Sequence, residues 1–148
     1  YPLAYGVKGL CKKDGDDFAV AKLEGLWWIK SNRPALEVPR SEWHWKLLIR
    51  FPNFVTSKIV EKAKQEVIKK KGIDLIKEIK FEKITEGKSV QVMHIGPYST
   101  EPETIAKMKK LISESGLREN GFHHEIYLSD PRKTPPQKMK TILRQPVK

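Results

Sequence analysis

One cysteine, four histidines and no apolar run near bilayer length are the scarcities of this 148-residue chain, and each closes a class of function. Cys11 has no partner with which to form a disulfide, so there is no disulfide framework and no thiolate metal site, and a reducing compartment fits. There is no HExxH or CxxC, and His123 and His124, as neighbours, point to opposite faces of any strand, so no metal is expected. Nor is any cofactor. No stretch is long enough to span a bilayer, and the start lacks the charged and apolar blocks of a secretory signal, so a cytoplasmic protein without membrane attachment is expected. The chain opens at Tyr1 without Met, in a segment that reads as the end of something, and an N-terminal piece is expected to precede this numbering.

Basic residues are plentiful: 29 Lys and Arg stand against 18 Asp and Glu, a net charge of +11. Such a balance raises nucleic acid as a partner. The distribution argues against it, because the basic residues are spread along the chain. The densest run, Lys69-Lys70-Lys71, closes a predicted helix, where cations complement the helix dipole. No nucleic-acid partner is expected.

Hydrophobic periodicity orders the elements. Residues 1–10 read as the last turns of a helix, 18–29 (FAVAKLEGLWWI) as a strand, and 43–51 (WHWKLLIRF) as a second strand stopped by Pro52. Ile59, Val60, Ala63, Val67 and Ile68 recur at helical spacing over about 56–72, with Gly72 at the end. Residues 79–84 and 88–95 read as a hairpin around Thr85-Glu86-Gly87. Thr100, Pro102 and Glu103 mark a helix start with a capping box, running to about Ser115. FHHEIYL then forms a strand broken by Ser129-Asp130-Pro131, and 138–144 a last one. The fold class is α+β: two pseudo-symmetric half-units, each with a helix followed by two strands, with helices on one sheet face and a ligand cleft on the other. The half-units span about 1–55 and 73–148, joined by the helix at 56–72.

The chemistry gathers where acids sit inside strands. In Phe122–Leu128, alternation places His123, Glu125 and Tyr127 on one face and Phe122, His124, Ile126 and Leu128 on the other. Glu125 beside a phenol either lines a pocket, binding a cation or moving a proton, or lies on an exposed face and meets only water. The first half repeats the pattern with Glu24 and Trp28. Four tryptophans fall between positions 27 and 45, either packing a core corner or caging a flat ligand. The Gly96-Pro97 turn throws Tyr98 out of strand alternation, so its facing does not follow from parity. His94 is either a hydrogen-bonded structural residue or part of the site.

The runs VQVMHIGPYSTEPETIAKMKKLISESGL, GFHHEIYLSDPRKTPPQKMKTILRQPV and KLEGLWW with EWHWKLLIRFP resemble the GyrI-like small-molecule-binding domain family, in its free-standing branch rather than in regulators with a helix-turn-helix. The resemblance covers nearly the whole chain. It implies two pseudo-symmetric β-α-β-β half-units, the first incomplete for want of its first strand and most of its helix, around a ligand cleft, with Glu125 as the cleft acid and Tyr98 and Tyr127 beside it. Members of the branch hydrolyse the strained cyclopropane of DNA-alkylating natural products, which implies a cytoplasmic detoxifying hydrolase. On that basis Glu125, Tyr98 and Glu24 are the expected catalytic residues. Trp28, Trp43, Trp45, Tyr127, His94 and Met93 are the expected contacts to an aromatic or polycyclic ligand. The alternative is a non-catalytic module that sequesters flat aromatic or cationic xenobiotics.

Overall fold

A computed structural model describes residues 1–148, which divide into two compact units interleaved along the chain: residues 1–21 with 49–84, and residues 22–48 with 85–148.

The first unit is a helix pair. Helix α1 (Pro2–Lys13) offers Leu3, Val7 and Leu10, and helix α2 (Ser57–Lys71) offers Val60, Ala63 and Val67, all buried together with Val55 and Ile76. Both stripes repeat at intervals of three or four residues, so each helix buries one face. Close approach depends on Gly6, where an added Cβ would lie 2.6 Å from Cγ2 of Val67. Helix α2 begins where Thr56 accepts a hydrogen bond from the Ile59 N–H (3.4 Å) and stops at Gly72, as its spacing predicts. Two expectations fail in this unit. Phe18 extends no strand and instead packs edge-on to Phe51, with centroids 6.1 Å apart. Residues 79–84 form no strand either, and the predicted hairpin partner pairs with a strand distant in sequence instead.

The second unit is a five-stranded antiparallel sheet in the order β2-β1-β4-β5-β3, carrying one helix. Its strands are β1 (Leu23–Trp28), β2 (His44–Ile49), β3 (Ser89–Ile95), β4 (His123–Tyr127) and β5 (Lys140–Pro146). All seven residues of β3 pair with β5, from Ser89↔Pro146 to Ile95↔Lys140. That ladder replaces the local hairpin with a long-range one. β3, helix α3 (Glu101–Glu114), β4 and β5 make a complete β-α-β-β unit, whereas the first half contributes only β1 and β2 to the sheet. The halves meet at the antiparallel β1–β4 pair.

Helix α3 starts at Thr100 without the predicted capping box. The Thr100 hydroxyl donates to the Pro97 carbonyl instead (2.9 Å) and lies 3.2 Å from Nε2 of His94. His94 also meets the Thr104 hydroxyl through Nδ1 (2.8 Å). These bonds tie the first turns of α3 to one face of β3, with Met108 and Ile112 buried further along.

Candidate functional site

Residues paired across an antiparallel ladder project to the same face, so the register sorts the candidate side chains. His94 pairs with Thr141, and Thr141 pairs with Tyr127. Tyr127, Glu125 and His123 therefore lie on the face that α3 covers. Gly25 is opposite Glu125 and Trp27 opposite His123, which adds Trp27 to that face. Glu24 pairs with Ile126 and projects to the other side. The two acids thus do not converge, because β1 and β4 meet one residue out of the register that would put Glu24 beside Glu125. Glu125 lies on the side of the sheet that α3 contacts.

Glu125 is held on both carboxylate oxygens. An ionised carboxylate only accepts, so His123 Nε2 donates to Oε1 (3.0 Å) and the Tyr127 hydroxyl donates to Oε2 (2.8 Å). The indole N–H of Trp27 donates to the Tyr127 oxygen (2.9 Å). Glu101, at the first position of α3, is buried and hydrogen-bonded to Glu125. Tyr98 completes the group, edge-on to Tyr127 with centroids 6.1 Å apart.

This environment drives the two carboxyls apart. Burial, then the neighbouring Glu125 charge and the hydrogen bond to it, push Glu101 up to about 8, against a weaker pull from Arg40. Burial also raises Glu125, but the hydrogen bond and charge of His123, with the bonds from Tyr127 and Glu101, bring it below the usual carboxylate range. Glu101 is therefore protonated at neutral pH while Glu125 is ionised. Burial, followed by the charges of Glu101 and Glu125, raises the Tyr98 phenol, so it keeps its proton. Burial and the adjacent Glu125 raise Tyr127 further. Paired groups pushed in opposite directions are the physical basis for dividing acid and base roles.

A cavity of about 220 Å³ opens on the same face, walled by Trp27, Trp43, Ile105, Met108 and Ile112 and bounded by His123. Trp28 also reaches it, stacked on Phe122 at 4.5 Å and on His44 at 5.7 Å. The structure therefore brings Glu125, Tyr98 and Tyr127 together and sets Trp43 and Trp28 at the neighbouring cavity. It leaves four expected residues elsewhere. Trp45 is 59% exposed, Met93 projects from the opposite face of β3, and both ring nitrogens of His94 are engaged within the protein. Glu24 belongs to a separate cluster, in which buried His124 lies 2.7 Å from Glu24 through Nε2 and 2.7 Å from Glu86 through Nδ1. Arg144 donates to Glu86 at 3.0 Å.

Glu101 and Trp27 are the participants that the sequence reading missed. Glu101 reads as a first-turn acid suited to the helix dipole, and nothing in its neighbours signals burial. Trp27 was legible by parity, sharing a face with Gly25, but the register that sets that face against Glu125 was not.

No group of three or more His, Cys, Asp or Glu is placed to hold a metal ion, and no helix is long and apolar enough to cross a membrane. No curated protein matches the chain. Among solved structures, an uncharacterized conserved protein from Listeria innocua is 43% identical over 100% of this chain and 76% of its own, with a TM-score of 0.91. Two crystal structures described as hydrolases from Listeria innocua are 42% and 41% identical, over 100% of this chain and 75% and 76% of theirs, with TM-scores of 0.86 and 0.88. The GyrI-like small molecule binding domain matches residues 13–148. With that match over most of its length, and with an acid and two phenols gathered between the sheet and the start of α3, the chain belongs to the GyrI-like small-molecule-binding domain family.

Proposed function

We propose that this protein is a hydrolase that adds water to the cyclopropane ring of DNA-alkylating cyclopropanoid compounds, a cytoplasmic detoxification that needs no cofactor and no nucleic-acid partner. The observation that carries this reading is the partly buried carboxylate of Glu125, which accepts from His123 and Tyr127 with the Tyr98 phenol and the buried Glu101 carboxyl gathered beside it. The hydrolase relatives from Listeria innocua support the reaction class. In such substrates the cyclopropane is fused to a cyclohexadienone. Glu125 takes a proton from water as its oxygen bonds to the ring carbon. The ring C–C bond breaks, and its electron pair moves into the dienone, whose carbonyl oxygen becomes a phenolate. Tyr98, still protonated, donates a hydrogen bond to that oxygen, and Glu101 supplies its proton. Acid–base and oxyanion assistance each contribute about 10²–10⁴-fold. Trp27, Trp43 and Trp28 offer aromatic walls to the flat part of the substrate.

Glu125→Gln is expected to retain ligand binding, followed by tryptophan fluorescence, and to cut turnover about 10²–10⁴-fold. The product is read by mass spectrometry as a gain of one water at catalytic protein concentrations. Recovery of intact ligand from the unaltered protein would instead assign a sequestering module. Unchanged turnover in Glu125→Gln would remove the assigned base.

A further inference from the structure

We infer that Gly25 and Trp27 are positioning residues that decide which carboxyl of the Glu101–Glu125 pair holds the proton, acting through Tyr127; this rests on the reading of Glu125 as the base. An indole N–H can donate but not accept, so the 2.9 Å bond from Trp27 to the Tyr127 oxygen has only one direction. A phenol has one proton. With its oxygen already accepting from Trp27, Tyr127 directs that proton to Oε2 of Glu125 at 2.8 Å. The chain of donors therefore runs from Trp27 through Tyr127 to Glu125, and each link strengthens the next by polarising it. Glu101 receives no comparable support, and its buried Oε1 has no hydrogen-bond partner in the protein.

Gly25 makes room for this chain. It lies directly across the ladder from Glu125, and a Cβ there would sit 2.8 Å from Nε1 of Trp27 and 2.9 Å from the Tyr127 hydroxyl. Both distances are too short for a real side chain, and the atoms met are the two that form the hydrogen bond. Any other residue at position 25 pushes the indole and phenol apart. The charged and titratable groups around Glu125 are His123 and Tyr127 from its own strand and Glu101 and Tyr98 from the start of α3, with Arg40 acting on Glu101 from the β1–β2 connection. Of these, only Tyr127 is contacted by β1 through a side-chain hydrogen bond.

The test is a pH titration of the full chain carrying glutamate labelled with carbon-13 at the side-chain carboxyl, assigned with Glu101→Gln and Glu125→Gln. No substrate is needed. The unaltered protein should show two separated steps. Trp27→Phe, which keeps an aromatic ring but removes the donor, should raise the lower step and narrow the gap. Tyr127→Phe should raise it further, and Trp27→Phe should then add nothing in the Tyr127→Phe background. Gly25→Ala should act like Trp27→Phe alone and likewise have no effect on the carboxyls once Tyr127 is Phe. If Gly25→Ala does not fold, the Trp27→Phe series decides the question. A lower step unmoved by Trp27→Phe, or effects of Trp27→Phe and Tyr127→Phe that simply add, would overturn the inference. Turnover of a cyclopropanoid probe by the same variants separates this failure from that of the proposed reaction. Normal titrations with no turnover remove the reaction, whereas Glu125-dependent turnover with unmoved titrations removes only the positioning role.

Discussion

Glu101 is a costly residue to bury, and that cost is the part of the site most directly measurable without a ligand. A carboxyl held at about 8 in the folded chain, against 4.5 for an ordinary glutamate, is protonated in the native state and ionised in the unfolded one throughout that window. The unfolded chain then binds fewer protons, so stability falls as pH rises, by about 1.4 kcal/mol per pH unit while the two states differ by a full proton. Below the unfolded value the penalty is absent, and above about 8 it is complete. Glu101→Gln removes the titration while keeping a side chain of the same shape. This variant is expected to be more stable than the unaltered protein at pH 8, to lose that advantage near pH 4, and to turn over substrate more slowly. Urea unfolding at several pH values checks the first two outcomes. A Glu101→Gln variant whose stability runs parallel to the unaltered protein at every pH would mean that Glu101 is not held protonated.

At the scale of elements, β4 shows both what periodicity reveals and what it leaves out. Alternation alone correctly separates Glu125 and Tyr127 from His124 and Ile126. It says nothing of which strand lies alongside, and the pairing of β4 with β1 sends Glu24 to His124 rather than to Glu125. The same limit undoes the predicted hairpin at 79–95, where a short Gly-containing loop looked sufficient but β3 pairs instead with β5, some fifty residues away in sequence. Local signals were reliable where the stabilising bonds are local, as at Thr56 and Gly72 around α2. They were unreliable where a side chain is claimed by a distant partner, as with Thr100 and Glu101. The His124 cluster makes a prediction of its own. Burial opposes the charged imidazole, but the bonds it donates to Glu24 and Glu86, with their charges, overcome that and raise His124 above its ordinary value. With both ring nitrogens facing carboxylates, the cation is the form that fits. Its contribution to stability is fully present below the unfolded value of about 6.5 and is lost as pH rises through the higher folded value. His124→Gln should therefore be destabilised most at pH 6 and progressively less at alkaline pH, by thermal unfolding. A deficit that grows with pH would show that the imidazole is neutral in the folded protein.

For the whole molecule the relevant quantity is the contrast between a net charge of +11 and a site built around an ionised carboxylate. The two act over different distances. The net charge produces a field that extends about 10 Å beyond the surface at 0.1 M salt and about 30 Å at 0.01 M. The charge on Glu125 is partly buried and already satisfied by His123 and Tyr127, so it is felt mainly by a molecule that has arrived. A cationic aromatic ligand is consequently repelled on approach and attracted on contact, whereas a neutral one meets no long-range barrier. Raising ionic strength from about 0.01 to about 0.15 M screens the first effect far more than the second. The association rate of a cationic aromatic probe, measured by stopped-flow tryptophan fluorescence, should therefore increase with salt, while that of a neutral probe of similar shape should stay nearly constant. The dissociation rate of the cation should change less than its association rate, because the bound ligand's partner is a close and shielded charge. Association that slows as salt is added would mean that the acidic cluster steers ligands from a distance and that the surplus of lysine and arginine does not govern their approach.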